Sequence, residues 1–174
     1  MKALVVYESL FGNTEQVAKA ITAGLSEHCD VVLMEVTELA EVTPDLFDLL
    51  VIGGPTHAFS MTRASTRQEA VTKGATHGST AVGIREWLDK LHKGGHSELV
   101  ATFDTRVSKV RHLPGSAAKG AAKVARGLGY KSAAQAEGFY VEDVSGPLLA
   151  GELVRAHDWG EWLGKQSANT TTRR

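Results

Sequence analysis

Apolar positions along the chain follow two alternating rhythms. Short continuous runs rich in β-branched residues are each followed by a stretch in which apolar residues recur every three or four positions. Ala3–Tyr7 is the first continuous run, the pattern of a strand covered on both faces. A polar loop at Ser9–Thr14 comes next, and then Val17, Ala18, Ile21 and Leu25 form one helical stripe. Val31–Val36 predicts a second strand, and Thr43-Pro44-Asp45 a turn, with Pro suited to the first turn of a short helix. Leu49–Ile52 predicts a third strand ending in Gly53-Gly54-Pro55. The next segment is long. It predicts a helix over Arg63–Lys73, a break at Gly74–Gly78, and a helix capped by Ser79 or Thr80 that carries Ile84, Trp87, Leu88 and Leu91 and closes at Gly94-Gly95. Glu98–Phe103 predicts the fourth strand. Ser116 suits the cap of a helix with Ala117, Ala121, Val124, Ala125 and Leu128 on one face, ended by Gly127 and Gly129. Ala133–Val141 holds the fifth strand, and Leu153, Ala156, Trp159 and Leu163 mark a last helix whose face Trp162 shares.

Five strands alternating with helices predict an α/β fold: a doubly wound, five-stranded parallel sheet with right-handed crossovers and helices on both faces. No repeat, linker or composition shift divides the chain, so one domain over residues 1–165 is expected, followed by a polar, frayed tail at 166–174. The size, 174 residues, agrees with one domain and a sizeable core. A net charge of -1 points away from nucleic acid and from acidic membrane surfaces. Cys29 is the single cysteine, which excludes an internal disulfide framework and a cysteine-based zinc site. It is expected to behave as a small buried apolar residue. The N-terminal apolar run is too short for a signal sequence, and no run approaches the roughly 20 residues of a membrane span. A soluble cytoplasmic protein is expected. Trp87, Trp159 and Trp162 sit at helical spacing and are expected to pack, while His92, His96 and His112 are expected at the surface.

In sheets of this kind ligands bind beyond the carboxyl ends of the strands, at the topological switch point. The loop after the first strand is therefore the place to look for chemistry. Ser9–Thr14 offers hydroxyls at both ends, an amide at Asn13 and a glycine at Gly12, and it leads directly into a helix N-terminus. Backbone N–H groups, hydroxyls and the helix dipole together suit a phosphate, and Gly12 lets the backbone approach it closely. The loop has no Lys or Arg, so such a site relies on preorganised neutral donors. A simple helix cap at Asn13 or Thr14 is the alternative reading of the same residues. Other phosphate and nucleophile motifs are missing: no G-x-x-x-x-G-K-[ST], no G-x-G-x-x-G after the first strand, no G-x-S-x-G and no H-E-x-x-H.

Ser9-Leu10-Phe11-Gly12-Asn13-Thr14-Glu15, directly after a first strand, resembles the [ST]-x-x-G-N-T phosphate loop of the flavodoxin family. Leu50-Val51-Ile52-Gly53-Gly54-Pro55-Thr56 resembles that family's third strand and its entry to a flavin-flanking loop. The likeness extends over element order and spacing along essentially the whole chain. It implies the strand order 2-1-3-4-5, non-covalent FMN and electron transfer. Position by position, it implies that Ser9, Leu10, Phe11, Gly12, Asn13 and Thr14 hold the FMN phosphate. Thr56, His57, Ala58 and Phe59 would line one side of the ring, with His57 at the flavin edge. Phe103, Asp104, Thr105 and Arg106 would line the other side.

Several features depart from that family's pure carriers, which are typically very acidic. Residues 1–60 carry a net charge of -7, and residues 61–174 carry +6, concentrated between Arg63 and Lys131 and including Lys119, Lys123 and Arg126 on one predicted helix. That stretch is either a solvated helix face or a docking surface for an acidic partner or a phosphate-bearing cosubstrate. Arg106 would favour an anionic reduced ring. The expected ring-flanking loops have no Tyr or Trp, and no Gly follows Thr56-His57-Ala58. The resemblance therefore implies an electron carrier that exchanges electrons with a reductase and an acceptor protein. The alternatives are an FMN-dependent NAD(P)H or quinone oxidoreductase and a flavodoxin-fold binding module without flavin.

Overall fold

The computed structural model describes residues 1–41 and 43–171. Its centre is a parallel sheet. Strand β1 (Lys2–Tyr7) lies between β2 (Asp30–Glu35) and β3 (Leu49–His57), and β5 (Leu99–Val107) pairs with the other side of β3. Beyond β5 the edge is shared by two short strands, β6 (Lys131–Ser132) against its start and β7 (Glu137–Val141) against its end. The expected fifth strand is thus present but interrupted at residues 133–136, and the order 2-1-3-4-5 holds for the five main positions. A two-residue strand, β4 (Ser60–Met61), folds back antiparallel on the end of β3.

Helices cover both faces. On one, α1 (Asn13–Ser26) and α5 (Glu152–Thr171) pack together. Their axes approach closely because the contact is made through glycines: a Cβ on Gly24 would lie 2.1 Å from the His157 carbonyl, and one on Gly160 2.2 Å from that of Ile21. This face buries Ala3, Val5, Val17, Ile21, Leu25, Val51, Phe103, Phe139 and Leu163. On the other face, α3 (Ile84–Lys90) and α4 (Ala117–Leu128) cover Leu4, Val6, Leu50, Ile52 and Val100. The central strands are buried on both faces, as their unbroken apolar runs require.

The boundaries follow the capping chemistry. Ser116 caps α4 as expected, its Oγ accepting from the Lys119 N–H at 3.2 Å, and Gly129 closes it at φ 108°. Ser79 does not cap α3. Its Oγ accepts from the N–H groups of Ala81 and Val82, and the helix starts at Ile84, whose N–H donates to the Glu8 carboxylate at 2.9 Å. The expected tail is partly corrected. Residues 166–171 continue α5 and Ser167 is buried, while residues 172–174 lie outside the described residues. Trp87 is buried and Trp159 packs edge-on against Phe103 and Phe139, but Trp162 is 44% exposed and shares no core face. Cys29 is half-buried against the core, its Sγ donating to the Leu25 carbonyl.

The helix α2 (Ala64–Thr72) belongs to the long segment between β4 and α3 and is held by an unusual anchor. Arg67 is completely buried. It donates to Thr62 Oγ1 at 2.8 Å and to the Thr80 and Ala81 carbonyls, and pairs with Glu86 at 3.0 Å. Thr62 in turn donates to Glu8 Oε1 at 2.5 Å. Burial pushes the Glu8 carboxyl up, while the donors around it and the nearby Arg67 charge pull it back. The network fixes α2 above the carboxyl ends of β1 and β3, beside the site described next.

Candidate functional site

The loop after β1 is a preformed nest of donors. Two backbone N–H groups, from Gly12 at 3.1 Å and Glu15 at 3.3 Å, converge on the buried Ser9 Oγ. Gly12 precedes α1 at φ 85°, a backbone that favours glycine. Among the described residues, the N–H groups of Leu10, Phe11, Asn13 and Thr14 find no hydrogen-bond acceptor. A helix N-terminus with orphan donors beside it attracts an anion. The Asn13 and Thr14 side chains do another job. Asn13 Nδ2 donates to the Ser145 carbonyl at 3.2 Å, and Thr14 Oγ1 shares a 2.7 Å hydrogen bond with Thr105 Oγ1. They tie the loop to the ends of β5 and β7.

Beside this loop opens a cleft of about 440 Å³, a size that suits a cofactor. Leu10, Phe11, Asn13 and Thr14 form one end. Thr56, His57, Ala58 and Phe59 form one wall, and Thr105, Arg106 and Val107 the other. Thr56 and His57 are the end of β3, which runs five residues further than its apolar run predicts. Ala58 and Phe59 make the two-residue turn into β4, both at positive φ (47° and 60°). Hairpins of this length prefer Gly or Asn at such positions, so the turn stores strain at the cleft wall. Phe59 is 49% exposed at the rim and is no part of the core. His57 is half-buried, and burial pushes its imidazole below the ordinary value of about 6.5, which favours the neutral form at pH 7.

On the opposite wall two expected residues fall away. Strand β5 runs to Val107, so residues 103–106 alternate between faces instead of forming a loop. Phe103 points into the α1/α5 core, its ring filling the space a Cβ on Gly53 would need. Asp104 turns the other way and is 99% buried. Its Oδ2 accepts from the Ala118 N–H at 3.0 Å, and it lies beside Ser116 and Thr56, whose Oγ1 accepts from the Ala117 N–H at 2.7 Å, while Oδ1 has no hydrogen-bond partner among the described residues. Burial pushes the Asp104 carboxyl up against the pull of those donors. It anchors the N-terminus of α4 and holds Thr56 from behind. Thr105 and Arg106 do reach the cleft. The Arg106 guanidinium donates to the carbonyls of Gly115 and Arg111, which secures the 108–115 connection, and its Nε has no partner among the described residues.

The structure adds residues that local sequence reading did not find. Helix α2 contributes Thr66, Glu69, Ala70 and Lys73 to the cleft, and the ends of β7 and its loop contribute Val141, Asp143 and Val144. The segment after α2 also crosses the phosphate-type loop. The His77 N–H donates to the Leu10 carbonyl at 3.2 Å, and its ring lies 3.6 Å from the position a Gly12 Cβ would take. Its Nε2 is 4.0 Å from Glu15 Oε2. The available signals were the unusual length of residues 62–97 and the charged Arg67, whose burial the sequence does not show. Lys119, Lys123 and Arg126 are exposed on α4, outside the cleft.

No protein-family model matches the sequence, and no curated protein matches it. Solved structures do. A flavodoxin from the domain Archaea aligns over 97% of this chain and 99% of its own, with TM-score 0.62 and 19% identity. A mutant flavodoxin from Pseudomonas aeruginosa aligns over 97% and 99%, with TM-score 0.64 and 13% identity. A flavodoxin, WrbA-like protein from Agrobacterium tumefaciens aligns over 97% and 98%, with TM-score 0.60 and 14% identity. The chain therefore has a flavodoxin-like fold. No described helix is long and apolar enough to cross a membrane.

Proposed function

We propose that the protein binds FMN non-covalently and passes electrons between a reductase and an acceptor protein in the reducing cytoplasm. The observation that carries this reading is the set of unpartnered N–H groups at residues 10, 11, 13 and 14, placed at the switch point and opening directly into the cleft. When bound, FMN supplies one- or two-electron chemistry of its ring. The chain supplies binding and electrostatics. The loop donors and the α1 dipole hold the phosphate, and the His77 imidazole, which the structure brings over the loop, adds a further donor. Thr56 through Phe59 and Thr105 through Val107 flank the ring. Neutral His57 is a hydrogen-bonding group, not a cation, whereas Arg106 is always charged and favours negative charge in the cleft.

A second reading, an FMN-dependent NAD(P)H or quinone oxidoreductase, is favoured by the α2 wall. Glu69 and Lys73 widen the cleft beyond the loops that flank a ring and give it polar groups for a second small molecule. Titration of the purified chain with FMN tests the main reading: flavin fluorescence should be quenched at one FMN per chain. Unquenched fluorescence at saturating protein would leave a binding module without flavin. NAD(P)H oxidation by the loaded protein alone, with a panel of quinones, separates enzyme from carrier.

A further inference from the structure

At the opposite end of the strands from the cleft, three side chains from two separate stretches meet. Asp45 sits in the short 3-10 turn Pro44–Leu46 just before β3, and His92 and His96 sit in the connection just before β5. One ligand atom from each lies within 4.8 Å of the other two. Asp45 and His92 are exposed. His96, expected at the surface, is buried and stacks on Tyr130 with ring centroids 3.7 Å apart. The connection between the histidines is itself held, the Gly94 N–H donating to the Leu128 carbonyl at 3.1 Å.

The hydrogen bonds of His96 define its free nitrogen. Nε2 lies 3.1 Å from the His92 carbonyl, which can only accept, so Nε2 carries the proton. Nδ1 is left with a lone pair, and it faces Oε1 of the buried Glu98 carboxylate at 3.8 Å. With His96 neutral, this lone pair and the Glu98 charge together call for a cation. A second cluster, Glu27, His28 and Glu161, lacks this demand, because Lys165 already pairs with Glu161.

We propose that Asp45, His92 and His96, joined by the Glu98 carboxylate that faces His96 Nδ1, form a binding site for a divalent transition-metal ion of the Zn²⁺ type. Two imidazoles and a carboxylate suit such an ion, with water completing the shell. Bonds of about 2.0–2.2 Å require the ligands to close in, and the exposed Asp45 and His92 side chains are free to turn inward. Bound there, the ion ties the turn before β3 to the connection before β5, a structural clamp independent of the cleft.

The test uses the full chain after treatment with a chelator, titrated calorimetrically with Zn²⁺ and spectroscopically with Co²⁺. One ion per chain, a higher Tm with Zn²⁺ and Co²⁺ d–d bands are expected. His92→Ala and Asp45→Asn, both at exposed positions, should each weaken Zn²⁺ binding at least about tenfold, and Glu98→Gln about 10- to 100-fold. His28→Ala should leave it unchanged. Absence of Zn²⁺ binding, or binding lost in His28→Ala and kept in His92→Ala, would overturn the proposal.

Discussion

The two sides of the cleft were built by different means. The phosphate-type loop is six consecutive residues whose backbone, turn and helix start are local consequences of Ser9 and Gly12. The α2 wall is assembled from parts far apart in the chain, with Arg67 reaching Thr62, Thr80, Ala81 and Glu86 and acting through Thr62 on Glu8. A local device keeps its shape with few partners. An assembled wall depends on one buried charge, and loss of that charge strands another.

Arg67→Met attacks the assembled side and should have the largest effect. It removes a fully buried guanidinium that pairs with Glu86 and, through Thr62, supports the buried Glu8 carboxylate, and breaking such a buried charged network costs about 3–5 kcal/mol. Urea unfolding at neutral pH measures it. A loss below about 1 kcal/mol would mean that the Thr62 and Ile84 donors alone satisfy Glu8, and that α2 is held by something else.

Gly12→Val attacks the local side. A branched residue at φ 85° is disfavoured by about 1–2 kcal/mol. If that strain lowers the fraction of loops in the donor-converging shape, the apparent FMN affinity falls with it, by about 5- to 30-fold. Fold stability should change less than in Arg67→Met, because the loop is at the surface of the core. An unchanged affinity would remove the phosphate from this loop.

His77 joins the two sides, since it belongs to the assembled segment but lies over the local loop. His77→Gln should weaken FMN binding about two- to fivefold, the scale of a partly exposed polar or ionic contact, and leave riboflavin binding unchanged. Equal losses for both ligands would make His77 a packing residue. This interaction explains why the sequence suggested a site of purely neutral loop donors: no pattern in residues 9–15 reveals a side chain that arrives from position 77.

Legibility divides along the same line. The α1 stripe, the Ser116 cap and the turn at Ser9–Thr14 were readable because each depends on residues close in sequence, whereas the sheet order came from the resemblance to the flavodoxin family and agrees with the observed pairing. The wall at Phe103–Arg106 was misread at Phe103 and Asp104. The apolar run ends at Phe103, but β5 continues through polar residues as far as Val107, because β3 and β7 offer paired hydrogen bonds on both sides. Strand alternation then sends Phe103 into one core and Asp104 beneath the other helix layer. The split fifth strand is likewise decided by its pairing with the two ends of β5.

The smallest expected effect sharpens that last correction. Asp104 is placed as an anchor of α4 and Thr56 behind the cleft wall, with its carboxyl pushed up by burial. A carboxyl raised in the folded state binds its proton more tightly there than in the unfolded chain. Its contribution is therefore fully present below the ordinary Asp value of about 3.9 and is lost as pH rises through the higher folded value. The urea midpoint of the wild type should carry a component that declines from about pH 4 upward. Asp104→Asn keeps an oxygen that accepts from the Ala118 N–H but does not ionise, so this component should vanish. FMN binding should barely change, since Asp104 does not line the cleft. If Asp104→Asn instead removes FMN binding while the fold is retained, the residue acts on the ring side of the wall, and the strand register that buries it is the part of the structure to revise.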